Sequence, residues 1–249
     1  MQRFLRVGVA VGMSVLVAQG WGQAGAHAPD GGTRETLQSI SILPKTGAPF
    51  TAVVVTVWTR LLEDGSTTTM KNHRTVARDS EGRIFQERRF LSPTGDKDET
   101  RLRTLEYADP VRHEFTDCVT ATKVCTVYPY HRAASMAESL PTTETLPNGM
   151  GTVTRESLGT QTMEGLETVG SRQITTINPG ANGYQHAEPT VKEFWYSPRL
   201  EVNVVTKRFE PRGGVQNFNL EQVSTEEPAA ELFVLPKGYV VIHSEEPEQ

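Results

Sequence analysis

From Val191 to Val223 the chain reads V-K-E-F-W-Y-S-P-R-L-E-V-N-V-V-T-K-R-F-E-P-R-G-G-V-Q-N-F-N-L-E-Q-V, and Leu232 to Tyr239 follows as L-F-V-L-P-K-G-Y. Three runs of alternating side chains are broken by Ser197-Pro198 and by Pro211-Arg212-Gly213-Gly214. Successive side chains of a strand point to opposite faces, while proline and glycine supply the backbone angles of the turns between strands. The stretch therefore predicts a meander of antiparallel strands with one dry and one wet face. The apolar segment after it, carrying Phe233, Pro236 and Tyr239, is expected to close the sheet's last edge and pack its core.

The same pattern extends upstream. Phe50 to Leu62 is the most β-rich run, with Val53, Val55 and Val57 on one face and Val54, Thr56 and Trp58 on the other. Asp64-Gly65 ends it in a hairpin dipeptide, and further strands are expected at Thr67 to Arg78, Arg83 to Leu91, Leu102 to Tyr107, Val153 to Gly159 and Leu166 to Ile177. Strands near ten residues long, joined by short turns, predict a meander rather than βαβ units. Ala133 to Glu138 is the one promising helix. The expected fold class is mainly β: a single strongly curved antiparallel sheet, half-barrel-like, with little helix. The expected domain plan is a signal peptide at 1–26, a loose N-terminal segment at 27–44 in which Ile40 and Ile42 open a first edge strand, the curved β domain at 45–243, and an acidic tail at 244–249.

The N-terminus sets the compartment. Arg3 and Arg6 precede an apolar run from Val7 to Ala18, and small residues follow at Ala24-Gly25-Ala26. This is the layout of a secretory signal peptide, and the run is shorter than the roughly 20 apolar residues a spanning helix needs. An exported product, periplasmic or secreted, is expected, with no transmembrane segment in the mature chain. A net charge of −5 provides no broad cationic face for nucleic acid. Cys118 and Cys125 are the two cysteines, and in an exported chain so close a pair reads as a disulfide stapling a hairpin. A redox pair favours closer Cys-x-x-Cys spacing, and a zinc site needs two further ligands.

Chemistry is sparse. The chain has no G-x-S-x-G elbow, no H-E-x-x-H, no Walker loop and no G-x-G-x-x-G, so no catalytic residue, metal ligand or cofactor is expected. His113 and Asp117 share strand parity near the cysteine hairpin, while Glu114 points away; solvated surface side chains are the simpler reading. Arg83, Arg88, Arg89, Arg101 and Arg103 concentrate positive charge, either for an anionic head group or polysaccharide or, more simply, as a polar face paired with Glu81, Glu87 and Glu99. Aromatics recur on strands throughout. They read most simply as a β core; but a curved sheet with few helices leaves its concave side unfilled, and on that second reading Trp58, Phe90, Phe115, Trp195, Phe209 and Phe218 are the candidate contacts for a hydrophobic or lipid-like ligand. The expected function is a non-enzymatic binding module for a lipid or lipoprotein; the alternative is an envelope sensor domain that pairs with a partner protein through an exposed strand edge.

A set of short phrases carries a resemblance: Gly47-Ala48-Pro49-Phe50-Thr51-Ala52, Leu62-Glu63-Asp64-Gly65, Arg78-Asp79-Ser80-Glu81-Gly82-Arg83, Asp109-Pro110-Val111, Glu193-Phe194-Trp195-Tyr196-Ser197-Pro198-Arg199-Leu200 and Leu232-Phe233-Val234-Leu235-Pro236-Lys237-Gly238-Tyr239. In this order they resemble a group of uncharacterised exported proteins of acidobacterial type, and the Cys118 and Cys125 pair resembles a variant of that group. The closing F-x-x-P-x-x-Y is similar to the end of LolA-type lipoprotein-sorting proteins and related lipid-binding periplasmic domains. That resemblance implies a half-barrel whose concave apolar face takes an acyl chain under short helices. It supplies no catalytic residues.

Overall fold

Val53, Val55 and Val57 alternate with Ala52, Val54 and Thr56 along β1 (Phe50–Leu61), the strand on which both arms of the sheet are hung. In the computed structural model of the chain the described residues are 40–62, 64–93, 101–130, 142–183, 185–211 and 213–245. The expected signal peptide, the helix at Ala133 to Glu138 and most of the acidic tail lie outside them.

On one side of β1 come β2 (Thr67–Arg78), β3 (Ile84–Arg89), the two-residue β4 (Ser92–Pro93), β5 (Leu102–Asp109), β6 (Glu114–Val119) and β7 (Val124–Pro129). On the far side lie β8 (Thr142–Thr145), β9 (Gly151–Met163), β10 (Leu166–Ile177), β11 (Glu188–Ser197), β12 (Val202–Glu210) and β13 (Gly214–Ser224), with β14 (Val240–His243) last in the chain. All fourteen form one open sheet in the order β14-β7-β6-β5-β3-β2-β1-β13-β12-β11-β10-β9-β8, with β4 paired to β2. The pairs are antiparallel except β14 with β7. The meander read from Val191 onward is β11 to β13, and its turns fall after the expected Ser197 and at the expected Pro211 and Gly213.

Hydrogen bonds show that the sheet curls. The Glu164 carboxylate in the β9–β10 turn accepts the Gln222 backbone N–H of β13 at 3.1 Å. Three inter-strand spacings separate β10 from β13, about 14 Å in a flat sheet. The β1–β13 register slips between Thr51 and Val53, and Gln222 has φ 54°, so a bulge turns out the N–H that Glu164 takes.

Curling makes one face concave, and the core sits at one end of it. Phe50, Ala52 and Val54 of β1, Val76 of β2, Leu166 at the start of β10, Val202 and Val204 of β12, Phe218 and Leu220 of β13, and Leu200 from the β11–β12 turn pack together. Burying a side chain of this size contributes about 1.5–3 kcal/mol. Ile40 and Ala48 belong to the same cluster, and Ile42 packs against it. Here the expectation of a loose segment to 44 with an edge strand gives way: Ile40 to Pro49 makes no strand and lies as a plug across the end of the concave face. Sequence alternation at Ile40 and Ile42 marks buried positions equally well for a strand or an extended plug.

Arg78 clasps that plug. Fully buried, it donates from Nε and Nη2 to Ala48 O, from Nη1 to Leu43 O and from Nη2 to Leu200 O, and its guanidinium stacks 5.0 Å from the Phe50 ring. Backbone carbonyls outside any ladder must find donors somewhere, and one side chain supplies them here. Burial pushes its pKa down to about 10.

After β13 the chain runs back across the convex side. Ser80 donates to the Glu227 carboxylate, Arg83 stacks over Phe233, and Val240 N–H donates to Lys123 O as β14 joins the edge of β7. Ala77 and Phe85 are buried on this side, and burial raises Tyr107 to about 12. Leu232 to Tyr239 thus leads the chain to the β7 edge, as a 3-10 turn at Ala230–Phe233 followed by irregular backbone and a turn at Lys237-Gly238 rather than as a strand. At that edge Cys118 and Cys125 face each other in register and form the disulfide. The hairpin they staple is β6–β7, and residues 110–113 before it are a turn whose N–H groups at Val111 and Arg112 are capped by Asp109 Oδ1.

Candidate functional site

Cross-strand register names the residues of the concave face beyond the core. Thr56 stands opposite Asn72 on β2 and Phe218 on β13, and Val54 opposite Arg74 and Leu220. Gln86, Glu106 and Asp117 continue the Val76 row through β3, β5 and β6, with Arg88 opposite Thr104 beside it. Several of these side chains border an open cavity of about 400 Å³, with Thr56, Asn72 and Phe218 on its floor. Arg74, Arg88, Thr104, Glu106 and Asp117 form a wall, and Arg89 and Arg103 complete the lining. Six adjacent strands from β13 to β6 would span about 24 Å laid flat, so curvature is what gathers them.

Three residues of the wall, Arg74, Glu106 and Arg88, are joined through Gln86 in a hydrogen-bonded chain. Arg74 Nη1 donates to Gln86 Oε1 at 3.1 Å, Gln86 Nε2 donates to Glu106 Oε2 at 2.6 Å, and Arg88 Nε donates to Glu106 Oε1 at 2.7 Å. Arg74 Nη2 also reaches Ile40 O at 3.2 Å, tying the plug to the cavity. Burial, with Arg88 beside it, pushes Arg74 down to about 9. Burial and then Glu106 raise the Asp117 carboxyl. Glu87 goes the other way: burial works against its charge, but hydrogen bonds from Arg89 and from the Thr75 N–H hold its pKa below the usual value. Four guanidinium groups against two carboxylates line the cavity, in a chain whose net charge is −5.

Five buried side-chain atoms have no hydrogen-bond partner among the described residues: Asn72 Oδ1, Asp117 Oδ1, Thr206 Oγ1, Arg208 Nε and Gln216 Oε1. Register places all five on the concave face. Thr206 is opposite Phe218, Gln216 is opposite Trp58 and Arg208, and Asn72 and Asp117 line the cavity. Gln216 and Thr206 are only 3% and 7% exposed. Lys192, opposite Arg208, has its pKa lowered by burial and by that arginine.

The six predicted aromatics are not brought together. Trp58, Phe115 and Phe218 share the concave parity, but Phe218 is in the core, Phe115 packs on Tyr128, and Trp58 donates Nε1–H to Gly213 O at 2.7 Å beneath Arg60. Phe90 lies just past β3 under Arg101 and Arg103. Trp195 and Phe209 face the convex side, where Gly170 makes room for the Trp195 ring: a Cβ there would sit 2.7 Å from it. His113 lies in the turn before β6 with φ 57°, four residues short of Asp117. The polar concave residues, Asn72, Arg74, Glu106, Thr206 and Gln216, were missed. One signal for them exists in T-T-T-M-K-N-H-R-T-V-A-R of β2, which is polar on both parities although it pairs with the most apolar strand.

No family model and no curated protein matches the sequence. Solved structures that align with it include an uncharacterised conserved protein from Thermus thermophilus, at 11% identity over 79% of this chain and 91% of that one, with a TM-score of 0.41. MucB in complex with MucA from Pseudomonas aeruginosa aligns at 12% identity over 79% of this chain and 58% of that one, with a TM-score of 0.39. A LolA superfamily protein from Nitrosomonas europaea aligns at 7% identity over 77% and 92%, with a TM-score of 0.30. What the concave face can bind is set by its own side chains.

Proposed function

We propose that this is an exported, non-enzymatic binding module, with 1–26 as its export signal, that takes a lipid-like ligand onto the concave face without a covalent step. The observation that carries the reading is that all five orphaned buried polar atoms lie on that one face. Each such atom costs about 1–3 kcal/mol if nothing replaces its water, so a fold keeps it where a ligand or solvent completes it. Beside them lies a second recess of about 540 Å³ near the β9–β10 turn, where Met163 and the buried Val204 and Leu220 meet Glu164, Asn219 and Gln222. Phe218 and Leu220, neighbours on the concave side of β13, border the two cavities in turn. On this reading a ligand's polar head sits in the first cavity and its apolar body runs towards Met163 in the mixed lining of the second. Native mass spectrometry of the chain without 1–26, exposed to a lipid extract, is expected to show a bound species; a clean ligand-free mass throughout would refute the reading.

One observation favours the alternative as a second reading. Val240, Val241 and Ile242 of the terminal strand β14 are 62%, 46% and 48% exposed, and an apolar sheet edge invites another strand. A partner strand added there is expected to be lost in Val241→Lys with thermal stability unchanged. Sedimentation velocity with the purified protein and its partner checks this, and undiminished association of the variant counts against the edge.

A further inference from the structure

Resting on the concave-face reading, we propose that the ligand's head group is an oxyanion, phosphate or carboxylate, with a hydroxyl beside it, and that Arg88 and Arg103 are the groups that touch it. Arg103 is the residue that register alone would turn away. The β3–β5 pairing slips between Arg88 and Arg89, so that Arg88 faces Thr104 while Arg89 faces Leu102, and the extra residue on β5 is Arg103. A bulge of this kind re-aims a side chain, and this one delivers a guanidinium to the cavity that holds Arg88.

The charges of the cavity are not equally spoken for. Arg89 is matched by Glu87 at 2.8 Å and Arg88 by Glu106 at 2.7 Å, but Arg88 uses Nε there and its side chain is still 39% exposed. Arg103 makes no salt bridge among the described residues, although it interacts with the Asp117 carboxyl at longer range; its guanidinium rests 6.0 Å from the centre of the Phe90 ring. Arg74 adds a third cation beneath them, already disfavoured as a charge by burial and by Arg88. An anion seated between Arg88 and Arg103 relieves that repulsion, and guanidinium forks suit the paired oxygens of phosphate and carboxylate.

Acceptors lie beside these donors. Asn72 donates its amide to Arg89 O at 2.9 Å, which leaves Oδ1 as an acceptor on the cavity floor, and Asp117 Oδ1 is a second. A bare oxyanion has nothing to donate to either. A head group with a hydroxyl next to its charged oxygens satisfies both sets, and 400 Å³ lies within the range of about 300–1,000 Å³ of small-molecule sites.

Isothermal titration of the chain without 1–26 tests this with three probes: 1-oleoylglycerol 3-phosphate, the neutral 1-oleoylglycerol, and glycerol 3-phosphate alone. The phosphate amphiphile is expected to bind at least tenfold more tightly than its neutral counterpart, with the difference lost in Arg103→Gln. Arg103 is exposed, so that variant is expected to melt with the parent, and Arg112→Gln on a remote turn is expected to keep the difference. Equal binding of the two oleoyl probes overturns the oxyanion site while leaving lipid binding standing. Glycerol 3-phosphate binding as tightly as the amphiphile, and sensitive to Arg103→Gln, supports the site and assigns it to a free oxyanion. No binding of any probe overturns both the site and the lipid reading.

Discussion

Replacing Arg78 with methionine keeps most of the side chain's volume and removes every donor it offers. Three carbonyls, at Leu43, Ala48 and Leu200, then lose their partner in a buried setting. At about 1–3 kcal/mol each the loss is several kcal/mol. It is offset in part because the variant no longer buries a cation, the cost that pushes Arg78 down to about 10. The net expectation is a destabilisation of about 3 kcal/mol, a fall in melting temperature of roughly 6–12 °C for a chain of this size. Because the carbonyls belong to the plug and to the β11–β12 turn, the damage should begin locally. Lys45, held by Glu201, is expected to become a trypsin site well below the melting temperature. Thermal melts followed by circular dichroism, with limited trypsin digestion read by mass spectrometry, measure both effects. A variant that melts within about 1 °C of the parent, with Lys45 equally protected, would show that Arg78 does not clasp the plug.

Thr206→Val replaces an orphaned buried hydroxyl by a methyl, and urea melts are expected to show a gain of about 1 kcal/mol, with weaker ligand binding as the accompanying cost. Breaking the Cys118–Cys125 bridge as a double serine variant is expected to cost about 2–3 kcal/mol by chain entropy, given the sequence separation of 7, and urea melts with and without reductant check it. Gly214→Ala places a Cβ 2.1 Å from Thr59 O at a φ of +80°, so a loss of more than about 2 kcal/mol is expected in the same melts. Asp117 provides the pH test. Its folded pKa is raised, by burial and then by Glu106, so its contribution is full below the unfolded value and lost as pH rises through the folded one. Asp117→Asn is therefore expected to gain stability over the parent between about pH 4 and about pH 7, as read from melts at the two values.

Much of the strand layout was legible because a strand writes its period into its residues. The alternation in Val191 to Val223 and in Phe50 to Leu61 marks exposed and buried sides, and Asp64-Gly65, Ser197-Pro198 and Gly213-Gly214 mark where the chain must turn. The cysteine pair was legible for a related reason: six intervening residues suit a hairpin, and in a hairpin the two positions fall opposite each other. Ile40 and Ile42 show where legibility ends, since alternation reports burial without saying what does the burying.

The candidate site was less legible for the same reason. Trp58, Phe218 and Trp195 all look like ligand contacts when each strand is read alone. Which face is concave depends on the curl that brings Glu164 to Gln222, three strands apart in the sheet. Arg103 faces the cavity because of a register slip that exists only once β3 and β5 are paired. Arg74, Gln86 and Glu106 form a chain across three strands that no local pattern announces. By itself the sequence determined most of the strands, though not β8 or β14, with their turns and the staple, because those follow from interactions between residues close along the chain. Tertiary structure alone decided which side became a polar basin, since that depends on curvature, register and burial summed over residues as far apart in sequence as Thr56 and Phe218.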